Sequence, residues 1–162
     1  MHAFVLRYRL LPHRFPAPLQ DARAGLDLIR TGGHGLDVDP GRVGVALADL
    51  DLLPEEAVAA LLCDPLPLEG ELSPARHLDA RACPTSVWAT AQDPPGLPNA
   101  LAWTQALADA GAPVEPHVHP AGGHGVGLAD GVRYGRHGGA RIPHTAGWTR
   151  VCERWLREEG VL

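Results

Sequence analysis

Residues 114–128 read VEPHVHPAGGHGVGL, and this stretch decides which fold we expect. Its first half alternates in the manner of a β-strand and stops at Pro120. A turn with a glycine pair follows and presents His124. In a doubly wound sheet, functional side chains gather beyond the carboxyl ends of the strands. The stretch therefore predicts an α/β domain with His124 as a candidate general base at that edge.

Composition limits what the protein can be. The 162 residues fit a single domain, residues 1–162, that is large enough to bury a core. The net charge of −5 offers no basic surface for nucleic acid. We find neither a secretory signal pattern nor an apolar run of about 20 residues, so we expect no membrane partner. Three cysteines without a C-x-x-C pair favour a reducing compartment, and we expect a cytoplasmic protein.

Periodicity along the chain predicts alternating strands and helices. The runs with strand character are residues 3–8, 42–47, 86–91 and 114–119, while residues 57–63 could form a strand or a buried helical turn. Helices are predicted from Pro18 to Thr31, from an Asn99 cap to Ala110, and after a Thr145 cap. Residues 64–83 and 129–143 are predicted to be loops. This order predicts a three-layer sandwich around a mostly parallel sheet of about five strands.

Two of the predicted helices carry apolar faces that should pack on the sheet. Leu101, Thr104, Leu107 and Ala108 share one side of the second helix. The final helix has a stripe made of Trp148, Val151, Cys152, Trp155 and Leu156.

A series of short motifs suggests a family. The motifs are YRL at 8–10 with FPA at 15–17, VDPGRVGV at 38–45, TAQDP at 90–94, PVE at 113–115 with GGHG at 122–125, and PH at 143–144. In this order they resemble the bacterial acetyl-esterase and carboxylesterase group of α/β-hydrolases, often labelled xylan or feruloyl esterase-like. The resemblance spans nearly the whole chain. It implies a reduced α/β-hydrolase fold, carboxylic-ester hydrolase ancestry, a small-molecule ester as substrate and no cofactor.

The resemblance also implies roles for two residues. Asp93 matches the position of the triad acid, and His124 matches the general base. The acid would hold the tautomer of the imidazole and stabilise the imidazolium. Taken singly, each could be an ordinary turn or loop residue. Their order after the matching strands favours an inherited acid–base pair.

Two departures from the family weaken the expected activity. The strand matching residues 43–45 should lead into a G-x-S-x-G elbow that carries the nucleophile. Here the sequence continues as ALADLD, and its only serines are Ser73 and Ser86, neither in an elbow. The family's His-Gly-Gly-Gly oxyanion motif would lie upstream of the strand at residues 3–8. We therefore expect a member that is truncated at its N-terminus, lacks the elbow and has weak or no esterase activity.

Cys63 is an alternative nucleophile. It ends the run nearest the missing elbow, and a thiolate beside a histidine is competent for acyl transfer. A buried structural cysteine on an apolar strand is the commoner arrangement.

Two non-catalytic functions stay open. His117 and His119 are two apart on a strand and share a face, and with His124 they could bind zinc, although no metal is our primary expectation. Loss of a strand between those at 3–8 and 42–47 would force these two to pair directly or leave sheet edges exposed. Exposed edges predict a homodimer or another interaction module.

Overall fold

The computed structural model describes residues 2–9, 12–13, 17–47, 59–63, 78, 82–134 and 137–162. Ser73 and most of the loop predicted at 64–83 lie outside the described residues. None of the helices in the described ranges is long and apolar enough to cross a membrane.

The centre of the fold is a parallel sheet. Its strands are β1 Gly44–Leu47, β2 Ala59–Cys63, β3 Thr85–Thr90 and β4 Val114–His119. They lie in the order β1-β2-β3-β4, and each neighbouring pair is parallel. The ambiguous run at 57–63 is thus a strand, since β2 pairs with β1 on one side and β3 on the other. All six residues of β3 are buried, as expected for a strand covered on both faces.

The helices are α1 Ala17–Arg30, α2 Gly96–Asp109, α3 Pro143–Ala146 and α4 Trp148–Glu158. Of these, α2 packs on one face of the sheet and α4 on the other. Val87 and Ala89 of β3 pack in one core with Trp103 and Leu107 of α2. Trp88 between them points the other way and packs with Cys152 of α4, because successive strand residues face opposite sides. The predicted three-layer α/β class is confirmed.

The loop predicted at 129–143 contains a small hairpin. β5 Arg133–Tyr134 pairs antiparallel with β6 His137–Gly138. A bridge between Asp130 and Arg141 closes its base.

The prediction of a strand at residues 3–8 is wrong. Residues 2–9 form no strand and lie along α1 instead. The guanidinium of Arg9 pairs with the carboxylate of Asp21 at 2.7 Å, and the side chain of Leu6 covers Gly25. A segment with β-prone composition forms a strand only where it can pair with a sheet edge. Here the segment packs against α1 instead. The main sheet therefore has four strands within the described residues.

Two predicted helix caps are also wrong. α2 begins at Gly96, so Asn99 lies inside the helix, where its Nδ2 donates to the carbonyl of Pro95 at 2.7 Å. Thr145 lies inside α3 and does not cap α4. The cap positions are occupied by Pro95 and Gly147 instead, and neither helix has a side-chain cap hydrogen bond.

The buried side of α2 differs from the predicted one. It is formed by Gly96, Ala100, Trp103 and Leu107, while Leu101 is exposed. Trp103 supplies the larger area and so decides which side turns inward. The predicted stripe on α4 is confirmed in its centre, since Cys152 and Trp155 are buried.

Candidate active site

Asp93 and His124 meet at the carboxyl edge of the sheet. Asp93 follows β3 and His124 follows β4, and these two strands are neighbours. Oδ2 of Asp93 lies 3.0 Å from Nδ1 of His124. Asp93 is fully buried, whereas 38% of the His124 side chain is exposed. The two residues singled out in the sequence are therefore brought together, with the acid inside and the base facing solvent.

The contact fixes which nitrogen of His124 carries the proton. A carboxylate can only accept a hydrogen bond, so Nδ1 is the donor. In the neutral imidazole this leaves a lone pair on Nε2. Nε2 has no hydrogen-bond partner among the described residues. The basic atom of the pair therefore belongs to a partly exposed side chain and has no described partner.

The turn between β3 and α2 places the acid. The backbone N–H of Asp93 donates to the carbonyl of Thr90 at 3.2 Å, and its own carbonyl accepts from Leu97 at 3.0 Å. Gly96 lies directly beneath the carboxylate, where a Cβ would come within 2.1 Å of Oδ2. Oδ1 is buried and accepts no hydrogen bond from any described residue. Among the described residues, the imidazole of His124 is therefore the single hydrogen-bond donor to a carboxylate that is fully buried.

The turn carrying His124 is held by the end of β3. The hydroxyl of Thr90 donates to the carbonyl of Gly122, and the N–H of Gly122 donates to Oε1 of Gln92 at 3.0 Å. Gly122 has a φ of 127°, and a Cβ there would meet the side chains of Val126 and Thr90. The N–H and the carbonyl of Gly122 are thus both hydrogen-bonded to residues that lie just before Asp93 in the chain.

A second support comes from α3. The hydroxyl of Thr145 donates to the carbonyl of Ala121 at 2.7 Å, one residue before the clamped glycine. The indole of Trp148 donates to Gly127 at 3.2 Å on the other side of His124. The segment around His124 is therefore anchored on both sides.

Sequence reasoning missed these supporting residues. Thr90 and Gln92 belong to the TAQDP motif, but only Asp93 received a role. Thr145 was assigned to a helix cap. A signal was present: Thr90 and Gln92 lie where a strand passes into a loop, and such loops often carry functional residues.

No described serine lies near His124. Ser86 is buried within β3, four residues before Thr90, or about 13 Å back along the strand. Cys63 ends β2, and its Cα pairs in register with Trp88. Cys83 and Cys152 are buried, and burial raises the pKa of each thiol, which makes them poor nucleophiles at neutral pH.

The histidines of the metal hypothesis have separate partners. Nε2 of His117 lies 2.7 Å from Oε1 of Glu115, while His124 binds Asp93. The ring of His119 packs edge-on against Trp88 and His144, and burial, followed by the charges of His144 and His117, lowers its pKa. Within the described residues, no three His, Cys, Asp or Glu side chains are grouped so that they could hold a metal.

A parallel sheet with an acid after one strand and a hydrogen-bonded histidine after the next is the arrangement that the sequence resemblance implied. Solved structures of hydrolases share this fold. An acetyl ester-xyloside bifunctional hydrolase from Caldicellulosiruptor lactoaceticus is 24% identical, with a TM-score of 0.74 over 96% of this chain and 70% of that one. A carboxylesterase from Lactobacillus plantarum is 22% identical, with a TM-score of 0.77 over 91% and 70%.

A sugar hydrolase from Lactococcus lactis is 18% identical and has a TM-score of 0.79, covering 94% of this chain and 74% of that one. No family model and no curated protein gives a significant match to the sequence. The chain therefore has the α/β-hydrolase fold.

Proposed function

We propose that this protein is an esterase-like α/β-hydrolase domain with an acid–base pair and no serine nucleophile. Its ester hydrolysis is accordingly weak or absent. The observation that carries the proposal is the 3.0 Å contact between buried Asp93 and exposed His124 at the carboxyl edge of the sheet. Esterases among the structural neighbours support carboxylic-ester ancestry and small-molecule esters as the substrate class.

The pair retains part of the chemistry of acyl transfer. Nε2 of His124 can take a proton, and Asp93 can stabilise the resulting imidazolium. The attacking hydroxyl is missing, because the sequence has no serine in an elbow. Loss of the nucleophile from such a triad lowers turnover by about 10^6.

Ester hydrolysis tests this directly. The purified chain should turn over p-nitrophenyl acetate far more slowly than about 1 s⁻¹, the lower end for ordinary enzymes. Turnover in the ordinary range that His124→Ala abolishes would contradict the proposal. The matched control is His13→Ala, which removes an exposed histidine outside the site.

Cys63 offers a second candidate, an active enzyme with a thiol nucleophile. It is supported by its place at the end of β2, beside the strand that leads to Asp93. Iodoacetamide should then modify Cys63 stoichiometrically, and His124→Ala should slow the modification at least about tenfold, because the imidazole would activate the thiol. Equal labelling rates in the two proteins would remove this candidate.

A further inference from the structure

We infer that His124 is itself the nucleophile of this site, acting through Nε2 on activated acyl groups such as aryl esters and thioesters. This inference rests on the proposed function, since it describes the chemistry left to an acid–base pair without a serine. It adds an activity and a substrate class defined by the leaving group.

The first support is the state of Nε2. In His124, Nδ1 is bound to Asp93, while Nε2 has no partner among the described residues and the side chain is 38% exposed. The lone pair therefore lies on the ring nitrogen that Asp93 does not hold, in a side chain exposed enough to meet an incoming carbonyl.

The second support is the rigid environment of the ring. Hydrogen bonds to Thr90 and Gln92 hold Gly122, which lies just before His124 in the same turn. The side chain of Asp93 is fully buried, so it does not turn away toward water. An imidazole held in one orientation and one tautomer loses little freedom when it reacts. A free surface histidine lacks both advantages.

The chemistry balances without any further reagent. The Nε2 lone pair attacks the carbonyl carbon, a C–N bond forms, and the carbonyl π electrons move to oxygen. Collapse of this adduct breaks the bond to the leaving group, which departs with the electron pair as aryloxide or thiolate. The acylimidazolium keeps its Nδ1 proton toward the carboxylate of Asp93. Water then adds to the acyl carbon and the C–N bond breaks with its electron pair returning to Nε2. The proton that water loses passes through solvent to the departed aryloxide or thiolate, which leaves the carboxylic acid and the neutral imidazole.

The leaving group sets the substrate class. In the adduct, either the imidazole or the alcohol or thiol part of the ester can leave. An alkoxide is a stronger base than imidazole, so it would stay and the imidazole would be expelled. An aryloxide or thiolate is a weaker base and departs first.

Trapping the acyl group tests the inference. The full chain is mixed with p-nitrophenyl trimethylacetate, whose bulky acyl group slows the second step, and is then quenched in acid. Mass spectrometry should find up to one acyl group per chain on the peptide that contains His124. Its formation should fall at least about tenfold in His124→Ala and in Asp93→Asn, where the amide can donate to Nδ1 and leave the proton on Nε2. Circular dichroism checks that both variants fold.

The controls separate the two proposals. His13→Ala should acylate like the original chain, and so should Cys63→Ala. Acyl groups spread equally over several histidines, or His124-dependent hydrolysis with no adduct, would overturn nucleophilic attack while leaving the proposed function intact. An adduct on Cys63 would overturn the inference and establish the thiol enzyme instead. Rapid turnover of ethyl acetate would contradict both.

Discussion

The Cα of Gly96 lies so close to the carboxylate of Asp93 that a Cβ at position 96 would stand 2.1 Å from Oδ2. Oδ2 is the atom that accepts the hydrogen bond from His124. Gly96 opens α2 and has an ordinary helical backbone, so the space above it, and not its backbone conformation, requires glycine.

Gly96→Ala should therefore displace the carboxylate and break its contact with His124. We expect a loss of about 1–3 kcal/mol in the free energy of unfolding, since overpacking forces the buried group to move. Nuclear magnetic resonance should show the loss of the hydrogen-bonded Nδ1 proton of His124, a signal that a purely structural role would not affect.

The matched control is Gly123→Ala in the loop before His124. A Cβ there would meet nothing within 4 Å, so stability should stay within about 0.5 kcal/mol. If the Nδ1 proton signal were retained in Gly96→Ala, the carboxylate of Asp93 could accommodate the added methyl group and the expected displacement would be wrong.

Thr90→Val should weaken the attachment of the His124 turn. The substitution keeps the shape of the buried side chain but leaves the carbonyl of Gly122 without its donor. A loss of about 1–3 kcal/mol is expected for a buried carbonyl left unsatisfied. Urea unfolding measures it, and acylation of His124 should slow in parallel because the ring is less well placed.

Thr104→Val provides the comparison. The Thr104 hydroxyl donates to the carbonyl of Ala100 one turn back in α2, a local bond that adds little to helix stability. A change within about 0.5 kcal/mol is expected. If the two valine variants were equally stable, the Thr90 bond would have no special role in holding the turn.

Stability should decrease as the pH falls through the titration of His119. Burial lowers the pKa of His119 in the folded chain, with smaller effects from His144 on α3 and His117 on β4. The unfolded chain, with an ordinary histidine pKa of about 6.5, then binds a proton first. The contribution of His119 is complete above about pH 6.5 and is lost as the pH falls toward its lower folded pKa.

His119→Phe should flatten this dependence, because phenylalanine keeps the edge-on contact with Trp88 and cannot bind a proton. Urea midpoints between about pH 7.5 and 5 measure the slope. His13→Phe, at an exposed position, should leave the slope unchanged. An unaltered slope in His119→Phe would assign the pH response to other groups.

Pro116 protects one edge of the sheet. Among the described residues, β1 and β4 are the outer strands. The carbonyls of Pro113 and His119 accept hydrogen bonds from Thr85 and Ala91, so the odd-numbered residues of β4 face β3. Pro116 is one of the even-numbered residues, which face away from β3. Because proline has no N–H, a further strand would lack a hydrogen-bond donor at this position, which discourages pairing at the β4 edge.

We expect a homodimer that pairs at the β1 edge, and Pro116→Thr should promote association beyond the dimer by opening the second edge. Light scattering over a range of concentrations measures both. Pro98→Thr, in the first turn of α2, should behave like the original chain. A monomer at every concentration would rule out the dimer.

The sequence predicted best where one periodicity dominated. β4 has the predicted bounds, 114–119, because its alternation ends at a proline and a glycine pair. The proximity of Asp93 and His124 could be expected, because adjacent parallel strands end at the same edge.

Contacts between distant segments could not be predicted. Residues 3–8 have strand composition, but the pairing of Arg9 with Asp21 and the absence of a strand partner are tertiary facts. The hydroxyl of Thr145 could equally well have capped a helix, and only the position of Ala121 decides its partner. The lack of space for a Cβ at Gly96 likewise cannot be predicted before the position of the Asp93 carboxylate is known.

The clamp between β3 and the turn at Gly122 has a consequence for redesign. Residues 90–124 contain the acid, the base and the bonds from β3 that orient them, and none of these bonds involves β1 or β2. An engineer could therefore graft a serine-bearing elbow between Leu47 and Ala59 without rebuilding the other half of the site. The chain is in this sense a recipient scaffold, whose acid–base pair is assembled before any serine is added.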